Sequence, residues 1–142
     1  MTTVRQLLVL KGDYIWSIYP DSSVFEALRL MADKDVGALL VMDGEKMVGI
    51  MSERDYARKV VLLGKLSRET AVSEIMTPKV ITVHPDQTIE ECMEMMTAKR
   101  VRHLPVFEND RVIGMISIGD VVRDIIYRQR ETIKGLEKYV SG

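Results

Sequence analysis

From Pro20 the chain reads Pro20-Asp21, Ser23, Glu26, Met31, Lys34, Val36, Leu39, Val41, Gly49, Ser52, Asp55, Arg58. From Pro85 it reads Pro85-Asp86, Thr88, Glu91, Met96, Lys99, Val101, Leu104, Val106, Gly114, Ser117, Asp120, Arg123. The offset is a constant 65 residues (85 minus 20), without a gap from Ile15 to Val61. No other feature limits the fold as much. Two copies of a unit too small to bury its own core are expected to pack on each other. That packing makes a pseudo-symmetric groove, in which residues present in both copies sit at equivalent places.

Within the first copy, Val4 to Leu10 reads as a short helix ended by Gly12, and Ile15 to Ile18 as a strand ending at Pro20. Ser23 and Glu26 have the spacing of a capping box, in which the serine oxygen takes an early backbone N–H and the glutamate reaches back. Val24, Ala27, Leu28, Met31 and Ala32 then follow helical periodicity. Val36–Met42 and Met47–Met51 form a hairpin across Asp43-Gly44-Glu45-Lys46, and Ser52 opens a helix through Leu63 to Gly64. The polar stretch Gly64 to Ala71 is the linker. The second copy repeats each signal: a short helix Val72–Met76, a strand Val80–Val83, a capping box Thr88–Glu91, a Met-rich helix to Ala98, a hairpin His103–Phe107/Val112–Ile116 around Asn109-Asp110, and a last helix from Ser117 toward Tyr139. Each copy thus reads β-α-β-β-α, a mixed α/β (α+β) unit with helices on a mostly three-stranded sheet. The expected boundaries are 7–64 for copy one, 65–74 for the linker and the start of the short helix, 75–132 for copy two, and 133–142 for a C-terminal helical extension.

The formal net charge is −1, with 20 basic and 21 acidic residues, so no global basic face argues for nucleic-acid binding. One cysteine excludes an internal disulfide framework and a cysteine-based zinc cluster, and no metal site is expected. The longest early apolar run, Leu7 to Leu10, is too short for a signal-peptide core, and no stretch approaches a membrane span. A soluble cytoplasmic protein is the expectation. No nucleophile–base pair and no P-loop spacing occurs, so no enzymatic activity and no catalytic cofactor is expected. Met93, Met95 and Met96 read as core filler on an amphipathic helix, and Cys92, which matches Ala27 in the repeat, as a small buried position.

Ser52/Asp55 and Ser117/Asp120 carry two readings at once. Ser-x-x-Asp is a good helix cap. The same geometry suits ligand binding, because a helix N-terminus attracts phosphate and a carboxylate one turn in can accept both hydroxyls of a ribose. The alternation Trp16-Ser17-Ile18 and Ile81-Thr82-Val83 points Ser17 and Thr82 away from their apolar neighbours. The main mismatch between the copies is Arg102-His103 against Gly37-Ala38. Arg102 and His103 precede a buried strand, so at least one is expected to point into the cleft. With Arg54, they would neutralise ligand phosphates, leaving copy one roomier and less charged.

The repeated Gly49-Ile-Met-Ser52-Glu-Arg-Asp55 and Gly114-Met-Ile-Ser117-Ile-Gly-Asp120, the Pro-Asp before each helix, and the strand Arg102-His103-Leu104-Pro105-Val106 resemble the CBS-domain pattern over nearly the whole chain. The resemblance implies a stand-alone CBS pair, a Bateman module, without attached catalytic domain. It implies a sensor of adenosine-containing ligands (AMP, ADP, ATP, NAD(H), S-adenosylmethionine) held between the copies, and a homodimer that forms a flat disc of four motifs and acts on a regulated protein partner. By the same resemblance Asp55 and Asp120 hold ribose, and Ser52 and Ser117 hold phosphate or ribose. The strand before each proline lines the adenine pocket. The implied ligand-lining set is Trp16, Ser17, Ile18, Gly37, Ala38, Ser52, Arg54 and Asp55, with Thr82, Val83, Arg102, His103, Pro105, Ser117, Gly119 and Asp120. A different reading is a structural dimeric adaptor without a nucleotide. Val122, Ile125, Ile126, Ile133 and Leu136 on the last helix would then meet another chain, with Arg128, Arg130, Glu131 and Lys134 in solvent.

Overall fold

The structure, a computed structural model, describes residues 2–141, with side chains up to Lys138. Gly142, the end of the expected C-terminal extension, lies outside the described residues. Helix α1 (Val4–Lys11) starts at a reciprocal cap, with Thr3 Oγ1 accepting from the Gln6 amide and Gln6 Oε1 accepting from the Thr3 amide. It stops at Gly12, whose φ of 98° favours glycine. The first copy continues with β1 (Ser17–Ile18), α2 (Val24–Lys34), β2 (Ala38–Asp43), β3 (Lys46–Ser52) and α3 (Glu53–Tyr56), which runs directly into a π-helical turn at Ala57–Val61. A 3-10 turn (Ser67–Glu69) and α4 (Val72–Ile75) lead to the second copy: α5 (Ile89–Lys99), β4 (His103–Glu108), β5 (Arg111–Ser117) and α6 (Ile118–Ser141).

In the first sheet the order is β1-β2-β3, with β1 parallel and β3 antiparallel to β2. The second sheet has β4 and β5 antiparallel. The expected strand Val80–Val83 is reduced to one parallel bridge, Val83 with Val106. The Val83 amide donates to the Pro105 carbonyl and the Phe107 amide to that of Val83, at 3.0 and 2.9 Å. The repeat extends to irregularities: each hairpin carries a register shift at the same place, Val41/Met42 and Val106/Phe107, and α2 and α5 both end on a left-handed residue, Asp35 and Arg100. Two expectations about helix ends are corrected. The α5 capping box is complete, but at α2 only the Ser23 half forms. The helix after Ser52 keeps α geometry for four residues and then loosens into the π turn.

The core is exchanged between the copies. Val24, Ala27, Met31, Leu39, Val41 and Met51 of copy one are joined by Val72 and Ile75 of α4. Ile89, Cys92, Met96, Leu104, Val106 and Ile116 of copy two are joined by Val4, Leu7 and Leu8 of α1. Each short helix therefore covers the sheet of the copy that does not follow it. Burial of such a side chain is worth about 1.5–3 kcal/mol, so neither half keeps its core without the other's helix. The glycines at the centre of the β3 and β5 strands allow the approach. A Cβ on Gly49 would stand 2.7 Å from Met76 Sδ, and one on Gly114 would stand 2.8 Å from Leu8 Cδ2. The linker takes part as well, since Ala71 bridges to Ser23 and Thr70 is buried.

Candidate functional site

Both Ser-x-x-Asp pairs lie where a β-strand turns into a helix, and both carboxylates are nearly buried, with Asp55 9 % and Asp120 5 % exposed. Each is held locally in the same way. The Ser52 amide donates to Asp55 Oδ2 at 2.9 Å and the Asp55 amide returns a bond to Ser52 Oγ at 3.2 Å. The Ser117 amide donates to Asp120 Oδ2 at 2.8 Å and the Asp120 amide to Ser117 Oγ at 3.2 Å. The capping reading is thus observed in both copies, and it fixes each carboxylate in position.

Beyond the cap the two surroundings differ. Asp55 Oδ1 accepts from Thr77 Oγ1 at 3.3 Å and from Lys59 Nζ, one turn along, at 3.0 Å. Lys59 also donates to the Ile75 carbonyl at 2.9 Å. Asp120 Oδ2 accepts from Lys11 Nζ of α1 at 2.5 Å, and Asp120 Oδ1 accepts from Arg123 Nη2 at 2.5 Å. Burial acts to raise the Asp120 pKa, but the hydrogen bonds from Lys11 and the Ser117 amide outweigh it, and the carboxyl lies below its ordinary range. Lys11, Thr77 and Lys59 escaped the sequence reading. A lysine closing an amphipathic helix carries no local sign of an aspartate 109 residues later.

The mismatched positions meet across the copies. His103 is turned inward beside Gly37, with Cε1 and Nε2 each 3.6 Å from where a Gly37 Cβ would stand, and Glu53 Oε1 is 3.7 Å from the same point. Burial lowers the His103 pKa, and Lys11 lowers it further against the opposing pull of Asp120. Arg102 is exposed, whereas His103 is half-buried against the other copy. Arg54 Nη1 reaches across to the Arg100 carbonyl at 3.0 Å. Its counterpart in the repeat, Gly119, leaves room for the Arg123 guanidinium, whose Nη1 is 3.3 Å from a would-be Cβ there.

On the strand side, Ser17 is exposed, Ile18 and Thr82 are half-buried, and Ala38, Val83 and Pro105 are buried. Trp16 is half-buried, stacked parallel to Tyr14 at 6.2 Å, with Lys34 Nζ 4.4 Å above its ring. Among the described residues no hydrogen bond joins Ser17 or Thr82 to either aspartate, so strand and carboxylate are separate parts of the candidate site. A groove of about 300 Å³ is lined by Leu28, Met31, Ala32, Asp35, Val36, Gly37 and Glu53. Among the described residues no cluster of His, Cys, Asp or Glu is arranged to hold a metal ion, and no helix is long and apolar enough to cross a membrane.

On the last helix, Ile125 packs on the second core, while Val122, Ile126, Ile133 and Leu136 are exposed. Arg128 departs from its expected place in solvent: it is half-buried and bonds Asp124 Oδ2 at 2.8 Å and Glu90 Oε1 at 2.7 Å.

A family model described as CBS domain matches residues 5–62 and again residues 72–127. The CBS domain-containing protein CBSX3, mitochondrial, of Arabidopsis thaliana is 38 % identical over 151 residues, covering 99 % of this chain and 73 % of that protein. Among solved structures, the CBS domain NE2398 superposes with a TM-score of 0.85 at 51 % identity, covering 88 % of this chain and 98 % of that one. The CBS domain pair of protein MJ0100, solved with 5-methylthioadenosine and S-adenosyl-L-methionine, has a TM-score of 0.80 at 25 % identity, covering 90 % and 98 %. These relatives are named for their CBS domains. The chain belongs to the CBS-domain family, as a tandem pair of CBS motifs.

Proposed function

We propose that the protein is a regulatory module that binds an adenosine-containing ligand between its two CBS motifs and passes the binding on to a partner protein. The observation that carries this reading is the pair of buried, serine-fixed carboxylates, Asp55 and Asp120, at equivalent places in the two copies. An ionised carboxylate accepts hydrogen bonds only, and a ribose offers it two adjacent hydroxyl donors. A carboxylate already clamped by its own helix start loses little freedom on binding, so more of the interaction remains as affinity. The relative MJ0100, with its two adenosine compounds, supports the ligand class.

In this reading the strand segments Trp16-Ser17-Ile18 and Thr82-Val83 flank the adenine, with Ala38 and Pro105 behind them. Arg102, exposed and without an ion pair among the described residues, supplies the charge for phosphates, with His103 and Arg54 at the junction of the copies. AMP, ADP, ATP and NAD(H) are the expected ligands, a homodimer is the working assembly, and the boundaries 7–64 and 75–132 delimit the two binding halves. A cytoplasmic location is also proposed, although one relative is named as mitochondrial.

A thermal-shift panel of AMP, ADP, ATP, NAD(H) and S-adenosylmethionine tests the reading. A ligand that binds only the folded protein stabilises it by about 2.7 kcal/mol at a hundredfold excess over Kd. Stabilisation by at least one member is expected. No shift with any member favours the second reading, a structural dimeric adaptor, which is supported by the exposed apolar residues Val122, Ile126, Ile133 and Leu136 on one helix.

A further inference from the structure

The Lys11 ammonium sits on Asp120, the carboxylate that the adenosine-binding reading assigns to a ribose. Its Nζ donates at 2.5 Å to Asp120 Oδ2 and at 2.5 Å to the Met115 carbonyl. The short helices align at an offset of 68, since the Val4 and Val72 amides bond the equivalent carbonyls of Gln87 and Ser22, so Lys11 corresponds to Lys79, which is exposed. The backbone explains why Lys11 is placed there. In copy one, the segment after α4 pairs with the neighbouring strand: the Thr77 amide donates to the Ile50 carbonyl and the Ile50 amide to that of Thr77. The counterparts of Ile50 and Thr77 are Met115 and Val9. Val9 lies within α1, so its backbone groups belong to the helix and not to a strand pair. The Met115 carbonyl is left to the lysine side chain.

Asp55 also meets an ammonium, but Lys59 belongs to its own helix, one turn on, and is 42 % exposed. It can release the carboxylate, keep its bond to the Ile75 carbonyl, and move no other element. Lys11 belongs to α1, which packs on the second core through Val4, Leu7 and Leu8. The N-terminal end of α1 is tied down separately, by the Val4 and Arg5 amides on the Gln87 and Pro85 carbonyls and by Arg5 on Asp86 and Glu108. Its last turn is held by Lys11. Past it, Gly12 opens the short link to Trp16 and β1, the strand wall of the first candidate site.

We propose that Lys11 is a built-in competitor for the second adenosine site. A ligand reaches Asp120 only by displacing Lys11, and the displacement frees the last turn of α1 and the Gly12 link that leads to the first site. The two sites then differ in affinity, and occupancy of one is transmitted to the other through the chain between Lys11 and Trp16. This inference rests on the adenosine-binding reading above.

The test titrates AMP, ADP and S-adenosylmethionine by calorimetry into the full chain, into Lys11→Met, into Lys11→Gln, and into each combined with Asp120→Asn. Hydrogen exchange of residues 10–12 is followed with and without saturating ligand. A hydrogen bond to a charged group outweighs a neutral one, so both Lys11 variants are expected to tighten the binding that Asp120→Asn abolishes, by about tenfold or more. Saturation of the unaltered protein is expected to speed exchange at 10–12 to the rate of free Lys11→Met. Unchanged affinity in both Lys11 variants, or exchange at 10–12 indifferent to ligand, overturns the proposal. Binding that Asp120→Asn leaves unchanged in every background overturns it while leaving the adenosine reading intact. Absence of binding in every variant overturns both.

Discussion

The His103 imidazole lies against Gly37, 3.6 Å from where a Cβ on that glycine would stand. These residues come from different copies of the repeat, and each occupies a position where the copies disagree: Gly37 aligns with Arg102, and His103 with Ala38. The junction of the two motifs is therefore built from the mismatches, while the matched apolar positions build the two cores. A residue as large as arginine at position 37 would press on the imidazole, and one as small as alanine at 103 would leave Gly37 facing a gap.

The burial of His103 makes stability depend on pH. Its folded pKa is lowered, first by burial and then by Lys11, so the unfolded chain binds the proton more readily and stability rises with pH. Stability is complete above the unfolded value of about 6.5 and declines as pH falls from there toward the folded value. Urea denaturation at pH 7.5, 6 and 5 is expected to show this decline in the unaltered protein and a smaller one in His103→Gln. Asp120, also depressed, contributes a separate loss only below about pH 4. Equal declines in the two proteins between pH 7.5 and 5 would contradict the assignment.

The close contacts of the exchanged short helices predict unequal costs for two equivalent alanines. At Gly49 an added Cβ meets Met76 Sδ at 2.7 Å and the Thr77 backbone carbonyl at 3.0 Å, while at Gly114 the three nearest atoms all belong to the Leu8 side chain. A side chain can rotate, whereas the Thr77 carbonyl is fixed by its bond to the Ile50 amide. Gly49→Ala is expected to destabilise by about 1–3 kcal/mol and Gly114→Ala by less, as measured by denaturant midpoints at constant m-value. The reverse order would mean that α1 is packed more rigidly than α4.

Cys92 is expected to be chemically silent in the folded protein. It is fully buried, and burial, aided by Glu91 and Glu90, pushes its thiol pKa up to about 11. At pH 8 little thiolate forms and none is accessible. Modification by a disulfide reagent should follow global unfolding, so that the rate rises in step with the fraction unfolded by urea. Rapid labelling of the native protein would show that the second core opens locally.

The sequence shows a great deal of this architecture because hydrophobic period, caps and hairpin turns are local signals, and the repeat doubles each one. Asn109 and Asp110, both at positive φ, were legible as a turn for that reason, and Cys92 was legible as a core position because its partner in the repeat is alanine. What stayed hidden is non-local. The repeat shows that α1 and α4 are related but not that each crosses to the other copy's sheet, since both arrangements bury the same side chains. The second-copy strand before Pro85 has the right alternation, yet only Val83 finds pairing partners. The Ser-x-x-Asp pairs were visible as caps, but Thr77, Lys59 and Lys11 were not visible as their partners. Each of those contacts depends on how a helix end is directed in space.

The central claim is that Asp55 and Asp120 are ribose acceptors and not only helix caps. Calorimetric titration of AMP into the unaltered protein, Asp55→Asn and Asp120→Asn separates the roles, because asparagine still accepts a hydrogen bond at the cap but offers ribose no charge. The account predicts binding in the unaltered protein that each substitution weakens at its own site by tenfold or more. Binding that survives both substitutions at full strength would contradict it and leave the two aspartates as caps alone.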